Sequence, residues 1–224
     1  MEQNYRNGRV VAVNLNYHIL DNTRQEMLVP LAAFKNDFYL AGGTGLALQL
    51  GHRVSEDFDL FTDKKFENKQ LLRKLSNTFN TNDIEQIQNE ENTLTVLIRD
   101  VKISFFSIEP TPVMSLLDSE YFRIAPVLEI GVFKLTALLR AAFKDYVDLY
   151  FILKQCRLSD LFTVARKKYT GMDESLYLKA MLSYDDVDLS PIMYVKGYET
   201  SPEIIYSYIK NVVERYLKEN QQRD

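Results

Sequence analysis

The sequence contains little of several features that mark particular classes of protein. Its 224 residues include one cysteine, Cys156, so no disulfide can form within the chain. With two histidines, His18 and His52, beside that cysteine, a zinc site is not expected. No apolar run is long enough to span a bilayer, and the first residues lack the apolar region of a signal peptide. These absences favour a cytoplasmic protein that has no membrane partner.

The chain also lacks an excess of positive charge. Its formal net charge is −4, which argues against a broad electrostatic surface for nucleic acid, although it leaves room for a local basic patch. Hydrophobic residues make up 46% of the chain, which is enough to build a core. The length fits one large domain or two small ones. The function must therefore be sought in local motifs.

The most informative stretch covers residues 38–62. An apolar run over residues 38–41 predicts a buried strand, and it leads into Gly42-Gly43-Thr44-Gly45 and an apolar segment typical of a helix. At such a helix start, the backbone N–H groups of Gly42, Gly43 and Thr44 can meet a phosphate with no side chain in the way. The glycines also suit a plain strand-to-helix turn. The phosphate role is favoured because two carboxylates follow.

Those carboxylates, Asp57 and Asp59, alternate with Phe58 and Leu60. In a strand this spacing turns both acids to one face and both apolar residues to the other. Two neighbouring anions repel each other unless a cation or a proton joins them. Such a pair suits Mg²⁺, which binds one or two carboxylates and leaves its other positions to water and phosphate. A solvated strand face is the alternative, but Glu56 adds a third anion beside apolar residues and favours a metal site.

A second block, residues 134–153, begins with Lys134. On a helix this lysine falls on the apolar face, whereas Glu129, Thr136 and Arg140 form the polar face. A lysine on an apolar face requires an anion. That anion is either a nucleotide phosphate, which we favour, or the carboxylate of a nearby aspartate.

Two aspartates of the same block are candidates for that partner. Asp145 and Asp148 are three residues apart and share one helix face. We expect Asp145 to line a cleft opposite Asp57 and Asp59, and Asp148 to belong to the scaffold. A short basic run further on, residues 166–168, is typical of a solvated face and less often of a contact to RNA.

Together these blocks resemble a known family. GGTGLALQLGHR, followed by DFDLF and later by KLTALLRAAFKDYVDLYFIL, is similar to the DNA polymerase β-like nucleotidyltransferases. The closer resemblance is to the nucleotidyltransferases of abortive-infection (Abi) toxin–antitoxin systems. It implies an α/β (α+β) fold with a mixed sheet, followed by a helical C-terminal domain. We place the nucleotidyltransferase domain at residues 1–125 and a helical domain that closes the cleft at residues 126–224.

The resemblance also implies a reaction and a set of partners. A nucleoside monophosphate would move from an NTP to a hydroxyl or phosphate of an RNA or protein acceptor, with Mg²⁺ or Mn²⁺ as cofactor. The protein would be a toxin active in phage defence, with a cognate antitoxin. Asp57 and Asp59 would bind the metal. The catalytic residues would be Asp57, Asp59, Lys134 and Asp145, and the nucleotide-binding residues Gly42, Gly43, Thr44, Lys134 and Arg140.

One position departs from the family pattern. The superfamily supplies a third carboxylate from a later strand, and the matching strand here, residues 101–106, has Ser104 at that position. A serine hydroxyl is a poor base and a weak metal ligand. Either another acid, such as Asp100 or Asp145, takes its place, or the domain binds nucleotide with little or no catalysis.

Overall fold

The structure is a computed structural model that describes residues 14–108, 111–185 and 187–221. Within these residues the chain forms eight α-helices and seven β-strands. The helices are α1 Asn22–Leu31, α2 Gly42–Leu50, α3 Asn68–Phe79, α4 Val127–Ala137, α5 Phe143–Leu153, α6 Leu158–Lys168, α7 Glu174–Leu182 and α8 Pro202–Gln221. The strands are β1 Tyr39–Leu40, β2 Phe58–Thr62, β3 Glu85–Glu90, β4 Thr93–Ile98, β5 Val101–Ser107, β6 Leu117–Asp118 and β7 Arg123–Ile124.

The strands form one mixed sheet with the order β3-β4-β5-β2-β1-β7-β6. The central strand, β2, pairs parallel with β5 and antiparallel with β1. Hairpins place β3 and β4 outside β5, and β6 and β7 outside β1. The predicted class, a mixed sheet followed by helices, is confirmed.

One face of the sheet is buried under α1 and α3. Phe58 and Leu60 of β2 point into this core and are 0% and 2% exposed, as the alternation along the strand predicted. Leu71, Leu75 and Phe79 cover the sheet from α3, since helical spacing places all three on one side of that helix. The opposite face of β2 is thereby left for the cleft.

A second core gathers α4 to α8 around α5. Leu149 and Ile152 of α5 are fully buried, and Gly131 of α4 allows Leu161 of α6 to pack against the backbone. A Cβ atom at Gly131 would lie 2.7 Å from Leu161 Cδ1. This core also takes in Leu46 of α2. The division of the chain at residues 125 and 126 stays a prediction.

Residues 187–195, which we call the strap, connect two distant segments of the chain through main-chain hydrogen bonds. At one end, the Asp188 N–H donates to the carbonyl of Ala141 (2.9 Å), in the junction between α4 and α5. At the other, the Val54 N–H donates to the carbonyl of Met193 (2.8 Å), in the loop after α2. The strap therefore joins the helical segment to the segment that carries the glycines and Asp57.

Candidate active site

A cleft of about 720 Å³ lies between β2, the start of α2, the α4–α5 region and the strap. Asp57, Asp59 and Lys134 all line it, together with Arg140 and Asp145. The two motif blocks, which are more than seventy residues apart in sequence, therefore meet at one open surface. Whether each residue has the predicted catalytic or binding role stays a prediction.

The start of α2 is built to receive Asp59 at close range. Gly42 has φ +63°, in the left-handed region that favours glycine, and a Cβ atom there would lie 2.4 Å from Asp59 Oδ2. The main-chain N–H of Ala41 donates to the carbonyl of Asp59 (3.1 Å). Gly42 is thus required by both its backbone conformation and the approach of the carboxylate, and Gly43 follows it on the cleft surface.

Thr44 contributes no side chain to the cleft lining. It is 1% exposed, and its hydroxyl donates to the carbonyl of Asp57 and lies 2.9 Å from the Ser55 hydroxyl. The side chain therefore fixes the loop that carries Asp57 and does not line the cleft. Any contact of Thr44 with a phosphate would have to come from its backbone N–H.

The two carboxylates of the β2 region are only partly neutralised. Asp57 Oδ2 lies 2.5 Å from Lys102 Nζ, and these side chains are 37% and 43% exposed. Asp59 has no salt bridge of its own among the described residues. Burial, and then the negative charge of Asp57, raise the pKa of Asp59 above its usual range. The negative charge of the pair is therefore only partly neutralised, and a further cation or a proton would stabilise it.

Ser104 lies where the sequence placed the missing carboxylate. It pairs in register with Asp59 across the parallel β2–β5 ladder, is 3% exposed, and shares a hydrogen bond of 3.3 Å with Thr95. Asp100 does not replace it, since it lies exposed in the β4–β5 turn, away from the cleft lining. Asp145 does line the cleft, but its charge is already paired.

That pairing defines the opposite wall of the cleft. Lys134 Nζ lies 2.8 Å from Asp145 Oδ1 and 2.6 Å from Asp148 Oδ2. Both carboxylates are 0% exposed, and the lysine side chain is 9% exposed. The ion pairs that the sequence offered as the alternative for Lys134 are therefore present. Its contact with a phosphate stays a prediction.

Asp148 is the centre of this network and belongs to the scaffold, as expected. Arg53 donates to it from Nε (2.7 Å) and Nη2 (2.8 Å), and His52 Nε2 lies 2.8 Å from Oδ1. Burial alone would raise the pKa of Asp148, but Arg53 and Lys134 hold it well below its usual range. Burial lowers the pKa of His52, so this ring is neutral and donates from Nε2.

Two further cations line the cleft, and their charges are less fully paired with carboxylates than that of Lys134. Arg140 Nη2 lies 3.4 Å from Asp145 Oδ2, and its side chain is 70% exposed. Lys144 is exposed and also lines the cleft. Both are free to turn towards an anion in the cleft, which Lys134 can do only by leaving an aspartate.

Comparison with known families identifies the chain. A family model described as the nucleotidyl transferase AbiEii toxin, type IV TA system, matches residues 27–196, which is more than half of the 224 residues. The chain belongs to the AbiEii nucleotidyltransferase toxin family. The predicted resemblance is confirmed, and with it the assignment as a toxin-type nucleotidyltransferase. Membership of an AbiEii type IV toxin–antitoxin family implies an antitoxin partner and a nucleotide substrate.

The chain is also similar to individual proteins. The chain is 29% identical over 191 residues to the uncharacterized protein aq_aa25 of Aquifex aeolicus (strain VF5), covering 82% of this chain and 89% of that protein. Two crystal structures from Helicobacter pylori, a proposed nucleotidyltransferase and JHP933, each superpose with a TM-score of 0.56 at 20% identity. They cover 92% and 93% of this chain and 99% and 96% of theirs, and they show a shared fold.

Nucleotidyltransferases such as the AbiEii family generally use divalent metals, and the residues here fit one such ion better than two. Asp57 and Asp59 face one cleft, and burial together with the negative charge of Asp57 raises the pKa of Asp59, an effect that a bound cation would oppose. Among the described residues, no group of three or more His, Cys, Asp or Glu side chains is placed to hold a metal. Ser104, in register with Asp59 on the neighbouring strand, places a hydroxyl where the family pattern has a third carboxylate.

Two residues of this AbiEii site, Lys102 and Arg53, were not predicted from the sequence. Lys102, two residues before Ser104 on the same strand face, could have been found from strand periodicity, since it had to face Asp57 and Asp59. Arg53 ends the motif GGTGLALQLGHR, residues 42–53, but its partner Asp148 lies 95 residues further along the chain. Its partner could not be inferred from local patterns.

Two expectations about charged residues were wrong. Glu129, expected on a polar helix face, is 0% exposed and pairs with Lys168 at 2.5 Å. Lys168 is therefore buried, although the basic run at residues 166–168 had suggested a solvated face. Each charge is tolerated in the interior because it neutralises the other.

No helix in the described part of the chain has both the length and the apolar character to cross a membrane.

Proposed function

We propose that this protein is a Mg²⁺-dependent nucleotidyltransferase toxin that moves a nucleoside monophosphate from an NTP to an RNA or protein acceptor. One observation supports this most directly. Asp57 and Asp59 share a cleft with the glycine-lined start of α2 and with the cations of α4 and α5. Anion-binding and cation-binding groups thus surround one space large enough for a nucleotide.

The triphosphate would lie between the α2 start and the opposite wall. The backbone N–H groups of Gly43 and Thr44 carry the positive end of the helix dipole. Arg140 and Lys144 supply mobile positive charge, and Lys134 keeps the wall cationic beside Asp145. A divalent cation held by Asp57 and Asp59, either Mg²⁺ or Mn²⁺, would neutralise charge on the phosphate oxygens.

The acceptor would be activated from the β2 side. One of the two carboxylates would orient the acceptor hydroxyl and accept its proton. The hydroxyl oxygen would form a bond to the α-phosphorus as its proton passes to that carboxylate, and the bond from the phosphorus to the bridging oxygen would break. Pyrophosphate leaves with the bonding electrons. Phage defence in the cytoplasm, with an antitoxin encoded nearby, is the proposed setting.

The test is transfer of label from NTPs to cellular acceptors. Each α-labelled NTP is incubated with the protein, Mg²⁺ and either total RNA or total protein. The proposal expects label in one acceptor fraction with the wild type, and none with Asp57→Ala. Asp63→Ala is the matched control, since Asp63 is exposed just beyond β2 and outside the cleft lining. Label that persists in Asp57→Ala would contradict the proposal.

A second function, nucleotide binding without catalysis, is favoured by Ser104. In this case NTP would bind with Mg²⁺, but no acceptor would become labelled under any metal. Ser104→Asp restores a carboxylate in register with Asp59, so transfer that first appears in this variant would establish a weakened enzyme. If the wild type already transfers label, the second function is excluded.

A further inference from the structure

The surface of β2 and β5 that faces the cleft changes character along the strands. Asp59 and Phe61 are two residues apart on β2 and face the cleft together. Their partners on β5 repeat the change, since Asp59 pairs with Ser104 and Phe61 pairs with Phe106. Two residues of strand span about 7 Å. The cleft floor thus has a charged end beside the glycines and an aromatic end about 7 Å away, a distance that a ribose can span.

The aromatic end is a layer of nearly parallel rings. Phe61 is stacked with Phe106 at 5.2 Å between centroids and 28° between planes, and with Phe133 of α4 at 5.6 Å and 14°. All three line the cleft and are half-buried. Phe61 also stacks with Tyr39, so among the described rings it is Phe106 that keeps a face with no other ring against it, where a planar ligand can stack.

Packing the core does not account for the whole layer. Phe61 and Phe133 do pack against the helical core. Phe106, among the described residues, belongs to neither core cluster, and its ring contact is with Phe61. A large aromatic side chain that lines a cleft without serving the core points to a ligand.

We infer that the base of the nucleotide substrate stacks on the Phe61–Phe106 layer while its phosphates lie at the Asp59 and Gly43 end. This inference rests on the proposed function and adds where the base binds. Phenylalanine rings have no hydrogen-bonding group. The layer therefore recognises the planar shape of the base and not the hydrogen-bond donors and acceptors along its edge. Purines and pyrimidines are therefore both accepted, with the larger ring system gaining more contact.

The test compares two ligands that differ by the nucleoside. With Mg²⁺ present, the dissociation constants of ATP and of inorganic tripolyphosphate are measured by calorimetry. Phe106→Ala is expected to weaken ATP binding by about 5- to 100-fold, the usual loss for one base–aromatic stack. Tripolyphosphate binding is expected to stay unchanged. Phe66→Ala is the matched control, because Phe66 is a half-buried, ring-packed phenylalanine outside the cleft.

Two further variants separate stacking from simple apolar packing. Phe106→Leu keeps apolar volume without a ring and is expected to lose ATP affinity as Phe106→Ala does. Phe106→Trp keeps a ring and retains affinity. Because the sequence contains no tryptophan, the new indole is also a unique fluorophore, which ATP is expected to quench and tripolyphosphate is not.

Each other outcome has a definite meaning. Equal losses for ATP and tripolyphosphate in Phe106→Ala would overturn the inference, because the variant would then have damaged the phosphate end. Unchanged ATP affinity with weaker RNA binding would also overturn it and assign the layer to the acceptor. If the wild type binds neither ligand, the proposed function itself fails, which is a separate result from failure of the stacking.

Discussion

Two pairs of aspartates on opposite sides of the cleft are in opposite electrostatic states, and of the four only Asp148 lies behind the cleft lining. In the β2 region Asp57 pairs with Lys102, whereas Asp59 has no salt bridge among the described residues and its pKa is raised. Asp145 and Asp148 on α5 are fully buried, yet they are neutralised by three cations, and the pKa of Asp148 is lowered. Aspartates left short of positive charge are available to a ligand, whereas those fully paired hold the fold.

The largest expected effect is the loss of Asp148. Asp148→Ala leaves Arg53 and Lys134 buried beside each other without their shared anion. We expect the free energy of unfolding to fall by about 3–5 kcal/mol, as for other broken buried pairs. Urea unfolding at neutral pH, followed by circular dichroism, measures this.

Asp37→Ala is the matched control for that experiment. Asp37 pairs with Lys74 at 2.8 Å on the surface, where both side chains are at least 40% exposed. Its loss is expected to cost at most about 1 kcal/mol. Similar losses for Asp148→Ala and Asp37→Ala would remove the distinction between buried and exposed pairs.

The next effect concerns Gly42. Gly42→Ala places a Cβ atom 2.4 Å from Asp59 Oδ2 at a residue with φ +63°. The left-handed conformation alone costs about 1–2 kcal/mol, and the contact must also displace Asp59. We expect lower stability together with weaker Mg²⁺ binding, measured by urea unfolding and calorimetry.

Gly171→Ala isolates the backbone cost of that substitution. Gly171 has φ +77°, and a Cβ atom there would meet no atom within 4 Å. It should lose stability by the backbone cost alone and keep its Mg²⁺ affinity. If both variants bind Mg²⁺ as the wild type does, Asp59 is not a metal ligand.

A smaller effect, with a distinctive pH dependence, is expected for Asp59→Asn. Since the folded protein raises the pKa of Asp59, its ionisation destabilises the fold as pH rises from the ordinary carboxyl range through the raised value. The asparagine variant should therefore be more stable than the wild type above that range, and the difference should vanish at lower pH. Asp148 has the opposite sign, because its stabilisation is lost as pH falls through its lowered pKa. Unfolding curves recorded against pH check both signs, and equal stability at every pH would contradict the first.

The smallest effect on stability is expected for Lys102→Met. The Lys102–Asp57 pair is exposed, so the free energy of unfolding should change by no more than about 1 kcal/mol. Mg²⁺ affinity should rise by about 2- to 5-fold, since a unit charge about 4 Å away contributes about 1 kcal/mol where water screens it fully. Calorimetric titration measures this, with Lys74→Met as the control. Weaker Mg²⁺ binding would show that Lys102 supports the site.

Local periodicity predicted those parts of the molecule that depend on neighbouring residues. The strand spacing of Asp57 and Asp59 placed Phe58 and Leu60 in the core, and the glycines marked the start of α2. These features need only the two-residue period of a strand and the strand-to-helix turn at the glycines. The family resemblance, and not periodicity, pointed to Ser104 as the position of the missing carboxylate, and the structure pairs it in register with Asp59.

Partners far apart in sequence could not be predicted in the same way. Lys134 required an anion, but whether it would be a phosphate or an aspartate depended on how α4 meets α5. Glu129 and Lys168 looked like surface charges because helix periodicity describes one helix and not the neighbour that covers it. The aromatic layer drew Phe61, Phe106 and Phe133 from three different elements. Tertiary packing decided each of these.

The strap determines when the cleft is complete during synthesis of the chain. Ile192 and Met193 form part of the cleft wall, and the Met193 carbonyl accepts a hydrogen bond from Val54. Because a ribosome makes the chain from its N-terminus, the glycines and both motif aspartates emerge long before that wall exists. A nascent chain therefore has an incomplete cleft until the strap has been translated.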